Sequence, residues 1–241
     1  MKAVLFSLVA AYLLPGWSVL RKVADARDDL SLTALKAEGQ AQLAPSVAPD
    51  IAAALGVPYE AGSLSVMATW SMKLPGRCRF ELSSLESTRV VAATSNGGKR
   101  RTEGVEVPAL AVATEHLCAF LAVRGGGEGE TRAAFDRHLQ AMKVDVRKVS
   151  LGRFAGQVAL VLGAADAGAP QFWVHKEKFL PTRVRQPEGN GPWDVRLFDY
   201  GSSATGDWFP RVVEVWKGND LALRFSVLKA DAKPTLPDSL F

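Results

Sequence analysis

The chain has 241 residues, 48% of them hydrophobic and 22% charged, which is too apolar for a disordered chain and enough for a sizeable core. Its formal charge of +4 comes from basic residues scattered among acidic ones, which argues against a dedicated nucleic-acid surface. The densest basic knot, Lys99-Arg100-Arg101, follows Gly97-Gly98 and reads as a solvated tip.

At the start, Lys2 is followed by AVLFSLVAAYLLPGW, apolar over the length of a secretory h-region and short for a membrane anchor. Pro15-Gly16 breaks that run, and Gly16 and Ser18 are small enough to precede a signal-peptidase cut, although no A-x-A pattern occurs. No cysteine lies nearby, so there is no lipidation box. Residues 1–18 are therefore expected to be a signal peptide and 19–241 an exported domain; the alternative is an uncleaved signal anchor. Cys78 and Cys118 allow one disulfide in an oxidising compartment, or two separate buried thiols.

The segment from Ser18 begins helically, with Val19, Leu20 and Val23 on one stripe and Leu30 beyond. Leu35, Ala37, Gly39 and Ala41 then share one side of an expected strand. Residues 44–62 hold three prolines and an alanine-rich stretch and read as a loop or insertion. In WSMKLPGRCRFEL (70–82), Trp70, Met72 and Leu74 alternate with polar residues. Beyond the Pro75-Gly76 break, Cys78, Phe80 and Leu82 do the same, so the stretch reads as a hairpin. Residues 88–94 form another strand, closed by an Asn96-Gly97 turn signal.

Two helices are expected next, over 108–123 and 130–142, with Leu117, Phe120 and Leu121 on one face of the first and Phe135, Leu139 and Met142 on one face of the second. The Gly125-Gly126-Gly127 run between them follows a helix and lacks the ending of a phosphate loop, so it reads as a linker. Strands are expected over 156–164, 170–177, 181–186, 193–200, 209–218 and 220–230. Such short connections require antiparallel neighbours. The fold class is mainly β with helices (α+β): a long antiparallel meander, interrupted by two helices, forming an incomplete barrel or strongly curved sheet.

No catalytic constellation emerges. His116, His138 and His175 form no metal-ligand spacing, and no nucleophile elbow occurs. Ser202 or Ser203 with His175 is the one hydrolase arrangement that can be named, and His175 reads more simply as a strand residue beside a solvated turn. The chain is thus read as a non-enzyme with no metal and no cofactor. Its repeated feature is the apolar strand face: Trp70, Met72, Leu74, Cys78, Phe80, Leu160, Phe172, Val213, Val215, Leu223 and Phe225. Periodicity alone does not separate a filled core from a cavity.

WSMKLPGRCRFEL resembles the hairpin of the outer-membrane lipoprotein-sorting (LolA-type) carrier family, and QFWVHKEKFLPTRVR (171–185) resembles its strand, charged turn, Leu-Pro and Arg-strand unit. WDVRLFDYG and the stretch from Gly206 to Phe241 continue the likeness, which covers most of residues 19–241. The resemblance implies an unfinished antiparallel barrel whose inner face holds acyl chains of triacylated lipoproteins or lipids. It further implies an inner-membrane exporter that loads them and an outer-membrane acceptor that takes them. Carried onto this chain, the inward positions are Trp70, Met72, Leu74, Cys78 and Phe80, and the lid uses Leu117, Phe120 and Leu121. Family members place an arginine before the hairpin proline as a latch to the lid. Leu74 stands there instead, while Arg77 and Arg79 alternate onto the other face. The alternative function is a non-carrier envelope sensor or interaction protein of the same fold.

Overall fold

A computed structural model of the chain describes residues 14–123, 129–166, 168–189 and 191–241. The period-two stretches become strands β1 (Ala34–Leu43), β2 (Leu64–Lys73), β3 (Arg77–Ser84), β4 (Ser87–Asn96), β5 (Lys99–Glu103), β6 (Val149–Phe154), β7 (Gln157–Leu162), β8 (Gln171–His175), β9 (Pro181–Gln186), β10 (Trp193–Phe198), β11 (Val212–Lys217) and β12 (Asp220–Asp231). The helices are α1 (Gly16–Asp28), α2 (Ala48–Leu55), α3 (Pro108–Leu121) and α4 (Glu130–Ala141).

All strands join one antiparallel sheet of order β5-β4-β3-β2-β1-β12-β11-β10-β9-β8-β7-β6, whose edges β5 and β6 do not pair, so it is curved and unclosed. The single meander expected from the sequence is in fact two. Strands β1–β5 and β6–β12 each lie in chain order as antiparallel neighbours, and the first and last strands pair in the middle. The α3–α4 excursion therefore carries the chain to the far edge of the sheet rather than to the next strand.

The curvature has a local cause at the centre. The inward residues of β1 are Leu35, Ala37, Gly39, Ala41 and Leu43, and Ala37 pairs with Trp70 while Ala41 pairs with Phe225. Small residues opposite large ones let the two halves close toward each other. Between Glu38 and Gly39 the register with β12 slips by a bulge, the usual device for bending a sheet. A Cβ on Gly39 would stand 2.0 Å from the Ser226 carbonyl oxygen, so only glycine fits.

Other departures from the sequence reading are local. Residues 44–62 contain α2, which starts on Pro49 in its first turn, ends on Gly56 with φ 72°, and buries Ile51 and Leu55. The prolines that suggested a loop flank or open this helix. Lys99-Arg100-Arg101 is not a turn tip but part of the edge strand β5, with all its residues exposed. Strand β6 had no clear alternation, because as an edge it buries little.

Residues 1–13 and the Gly125-Gly126-Gly127 run lie outside the described residues. The cut expected after Ser18 falls inside α1, where Gly16 and Ser18 are buried and a Cβ on Gly16 would meet the Val146 carbonyl. No described helix is long and apolar enough to cross a membrane.

If Gly39 sets the central bend, Gly39→Ala should destabilise the chain by roughly 1–3 kcal/mol, the usual range for overpacking. A urea midpoint equal to wild type would refute that role.

Candidate functional site

The concave face gathers nearly every residue the sequence singled out. Trp70 stacks on Phe209 with ring centroids 6.0 Å apart, meets Phe80 edge-on at 5.8 Å, and Phe80 lies 5.1 Å from Phe225. On the other half, Phe172 stacks on Phe120 of α3 at 4.3 Å, and Phe120 touches Phe135 of α4. Met72, Leu117, Leu121, Leu160, Val213, Val215 and Leu223 fill in between, all buried. Leu74 is only partly buried at the β2–β3 turn, where its peptide bond to Pro75 is cis. Phe209 and Phe135 belong to the same cluster; Phe209 opens the strand expected over 209–218, on the side of Val213 and Val215, but β11 begins only at Val212, so it sits in the β10–β11 loop.

This face is occupied by the protein's own side chains. Trp70, Phe80, Phe120, Phe135, Phe172, Phe209 and Phe225 are each less than 2% exposed. The clefts of the surface lie beside the cluster. One of about 200 Å³ opens among Phe154, His175, Lys178, Thr182 and Tyr200, and one of about 430 Å³ follows the α3–α4 seam past Ala119, Val123, Ala134 and Arg137. Within the cluster one polar atom stands out: the Trp70 indole N–H is buried with no acceptor.

Helix α3 is fastened to the sheet three ways. Cys78 of β3 is joined to Cys118 by a disulfide with a Cα–Cα distance of 5.8 Å, so the Cys78 sulfur is a link and not a free inward thiol. The Gly76 N–H in the hairpin turn donates to the Ala122 carbonyl at 2.8 Å. Arg27 of α1 donates to the Leu121 carbonyl at 2.9 Å and to the Trp208 carbonyl at 3.1 Å. Burial pulls the Arg27 pKa down from its usual value, with Tyr200 and Asp28 opposing.

The arginine that reaches the end of α3 is thus Arg27 of α1, while the position before Pro75 holds Leu74. Arg27 is invisible as a latch in sequence because it looks like one more helix charge. Its only signal is spacing, seven residues after Leu20 and four after Val23, which keeps it on the buried stripe. Arg77 and Arg79 face outward as expected, to Asp238 and to the Glu81 and Glu103 carboxylates.

Sequence spacing also hid a histidine pair. His116 Nδ1 and His138 Nε2 lie 3.1 Å apart across the α3–α4 contact. Burial, then the neighbouring His138 and the Arg100 guanidinium, lower the His116 pKa to about 3, while Gln186 opposes. Burial and Arg100 lower the His138 pKa to about 4. Both are neutral at pH 7, one donating to the other.

The hydrolase arrangement does not assemble as a hydrogen-bonded relay. His175 Nδ1 accepts from the Glu177 and Lys178 backbone N–H groups at the β8–β9 turn, and Ser202 Oγ pairs with Thr205 Oγ1 at 2.7 Å. Among the described residues no group of three His, Cys, Asp or Glu side chains could hold a metal ion.

The histidine pair fixes a sign for pH dependence. Unfolded, both titrate near 6.5; folded, they do so at about 3 and about 4, so between those values the unfolded chain binds more protons. This contribution is complete above about pH 6.5 and is lost as pH falls toward 4. Tm should drop over that window, by about 2–4 °C per kcal/mol in a chain of this size. Asparagine at both positions should flatten the slope; an unchanged slope would remove the pair as its cause.

The disulfide closes a loop of 40 residues, for which the chain-entropy relation gives about 4 kcal/mol. Serine at Cys78 and Cys118 should lower unfolding free energy by that order in urea titrations, and a loss below about 1 kcal/mol would count against the staple.

Against known proteins, no sequence-family profile matches the chain, and no curated protein matches it. Solved structures do. A LolA superfamily protein of Nitrosomonas europaea superposes with TM-score 0.52 at 11% identity, covering 95% of this chain and 98% of that one. A putative outer-membrane lipoprotein-sorting protein domain from Vibrio parahaemolyticus gives TM-score 0.43 at 11% identity over 91% and 94%. A chain of the MucA/MucB complex of Pseudomonas aeruginosa gives 0.29 at 13% over 93% of this chain and 59% of that one. The last two scores are too low to argue from. The first, with a twelve-stranded unclosed antiparallel sheet and helices laid in its hollow, shows that the chain has the LolA-superfamily fold.

Proposed function

We propose that the chain is a periplasmic protein that binds acyl chains of a lipoprotein or lipid against the concave face and releases them without covalent chemistry. The observation that carries this reading is the unequal fastening of the two helices over that face. Helix α3 is tied by the disulfide, by the Gly76 N–H and by Arg27. Among its described contacts, helix α4 places Phe135 and Leu139 in the core and reaches Asp28 through Thr131 and His116 through His138. In this reading α3 is the fixed rim and α4 the part that moves, opening the contact between Phe135 and Phe120 and baring that flank of the aromatic cluster.

Three considerations support it. The fold is shared with a LolA superfamily protein, and the sequence resemblance to lipoprotein carriers runs along the same hairpin. The unpaired Trp70 N–H, which costs about 1–3 kcal/mol, is a donor that an acyl ester carbonyl would satisfy. A disulfide between β3 and α3 suits an oxidising compartment. Residues 1–18 are read as the secretory leader, and an exporter and an acceptor would stand on either side of the transfer.

Energetics favour incomplete burial. At about 0.8 kcal/mol per CH₂, one chain of about fourteen carbons has a gross ceiling near ~11 kcal/mol. A carrier that enclosed several such chains fully would scarcely release them.

A second reading has an observation of its own. The concave face is already filled by the chain's aromatic residues, as expected of an envelope interaction protein that uses the fold without cargo. Two measurements separate the readings. Native mass spectrometry of protein purified gently from the periplasm should reveal bound lipoprotein or lipid. Hydrogen exchange should show α4 amides opening more easily than those of α3, and slowing when cargo is added. Protein that is consistently bare, with α4 as protected as α3, would favour the interaction protein.

A further inference from the structure

The outer face of the sheet carries a charge imbalance at β8–β10 that the concave site does not explain. Asp194 of β10 pairs across the ladder with Arg185 of β9, yet its oxygens are occupied by other partners. Arg183 Nε donates to it at 2.7 Å, and Arg196 Nε and Nη2 donate at 3.1 and 2.9 Å. On the other side Arg185 pairs with Gln171, whose side-chain oxygen already accepts from the Trp173 indole at 3.0 Å. Arg185 is half-buried, its Nε is sheltered from solvent, and among the described residues no group accepts from that nitrogen. Two guanidinium groups thus share the Asp194 carboxylate, and the third, Arg185, is left beside them without it.

The surroundings make this more than a crowded surface. Arg183 and Arg196 are held flat, over the Trp173 ring at 5.1 Å and the Trp216 ring at 4.5 Å, as well as by Asp194. Burial first, then Arg183 and Arg196, push the Arg185 pKa down, while Asp194 opposes. A partly desolvated cation among like charges is unfavourable unless an anion arrives to pair with it. Guanidinium forks are suited to tetrahedral oxyanions, which need several donors converging from more than one direction.

We infer that Arg185, with Arg183 and Arg196 beside it, forms a phosphate-binding site on the outer face of β8–β10. The phosphate is either free or the headgroup of an anionic lipid. The indoles of Trp173 and Trp216 flank the arginines, as befits a surface that meets a membrane interface. The site lies across the sheet from the concave cluster, so it does not depend on what that cluster holds.

The test follows the Arg Nε–H signals by NMR while inorganic phosphate is added, and measures flotation of the protein with phosphatidylglycerol vesicles against phosphatidylcholine vesicles. The Arg185 signal should move with saturation, and Arg185→Gln should abolish the response. Because that substitution breaks no hydrogen bond, Tm should be unchanged or higher; a lower Tm would mean that Arg185 is structural. Flotation with the anionic vesicles alone, reduced at least tenfold by Arg185→Gln, assigns the phosphate to lipid. A phosphate response without flotation assigns it to the free ion. No movement with phosphate and no change in flotation for Arg185→Gln overturns the site, as does an equal or larger response to acetate.

Discussion

The pairing of β1 with β12 is the constraint on which the rest of the molecule depends. It joins the first strand to the last, makes one sheet of two meanders, and puts the smallest inward residues at the line of greatest bend. Gly39 lies where the strands approach so closely that no side chain fits. With β1 bent there, the rings of Trp70 and Phe80 from one meander and Phe225 from the other converge on the same hollow. Without that ladder each meander would be a separate sheet with one uncovered apolar face.

Closing the hollow poses a second problem, since helices laid on a sheet bring their own polar ends. The structure solves it with buried polar contacts of long reach. Arg27 satisfies carbonyls at the end of α3 and in the β10–β11 loop, and the hairpin N–H of Gly76 takes another. Arg27 and Ala122 are buried, so losing these ties would leave polar groups without partners. The disulfide adds a covalent tie for α3. Helix α4, linked through the neutral histidine pair and aromatic contacts, depends on packing and on protonation state. The fold thus separates a wall with a covalent tie from one with none.

The outer face follows different rules. There the polar positions of the strands form charged rows braced by aromatic rings, such as Arg196 on Trp216 and Lys217 on Trp193. Carboxylates there have basic partners: Glu214 accepts from Arg224 and from the Trp216 indole, and Glu38 pairs with Lys36 and Lys229. Arg185 is half-buried in a row whose acceptors are already occupied.

Strand alternation, the hairpin at Pro75-Gly76 and the inward set from Trp70 to Phe225 were legible because one face of each strand is buried and the other is wet. The aromatic lid on the sheet was legible for the same reason, from Leu117, Phe120 and Leu121 on one helical face. Helix α2 was obscured by prolines that in fact open and border it, and β6 by its position at an edge. By itself, then, the sequence determined which faces are apolar, because burial leaves a periodic trace. Only the tertiary structure decided that the first and last strands meet, that Cys78 finds Cys118, that Arg27 and the histidines lie inside, and that the hollow is filled. Those depend on distances between residues far apart in the chain, and no local pattern records them.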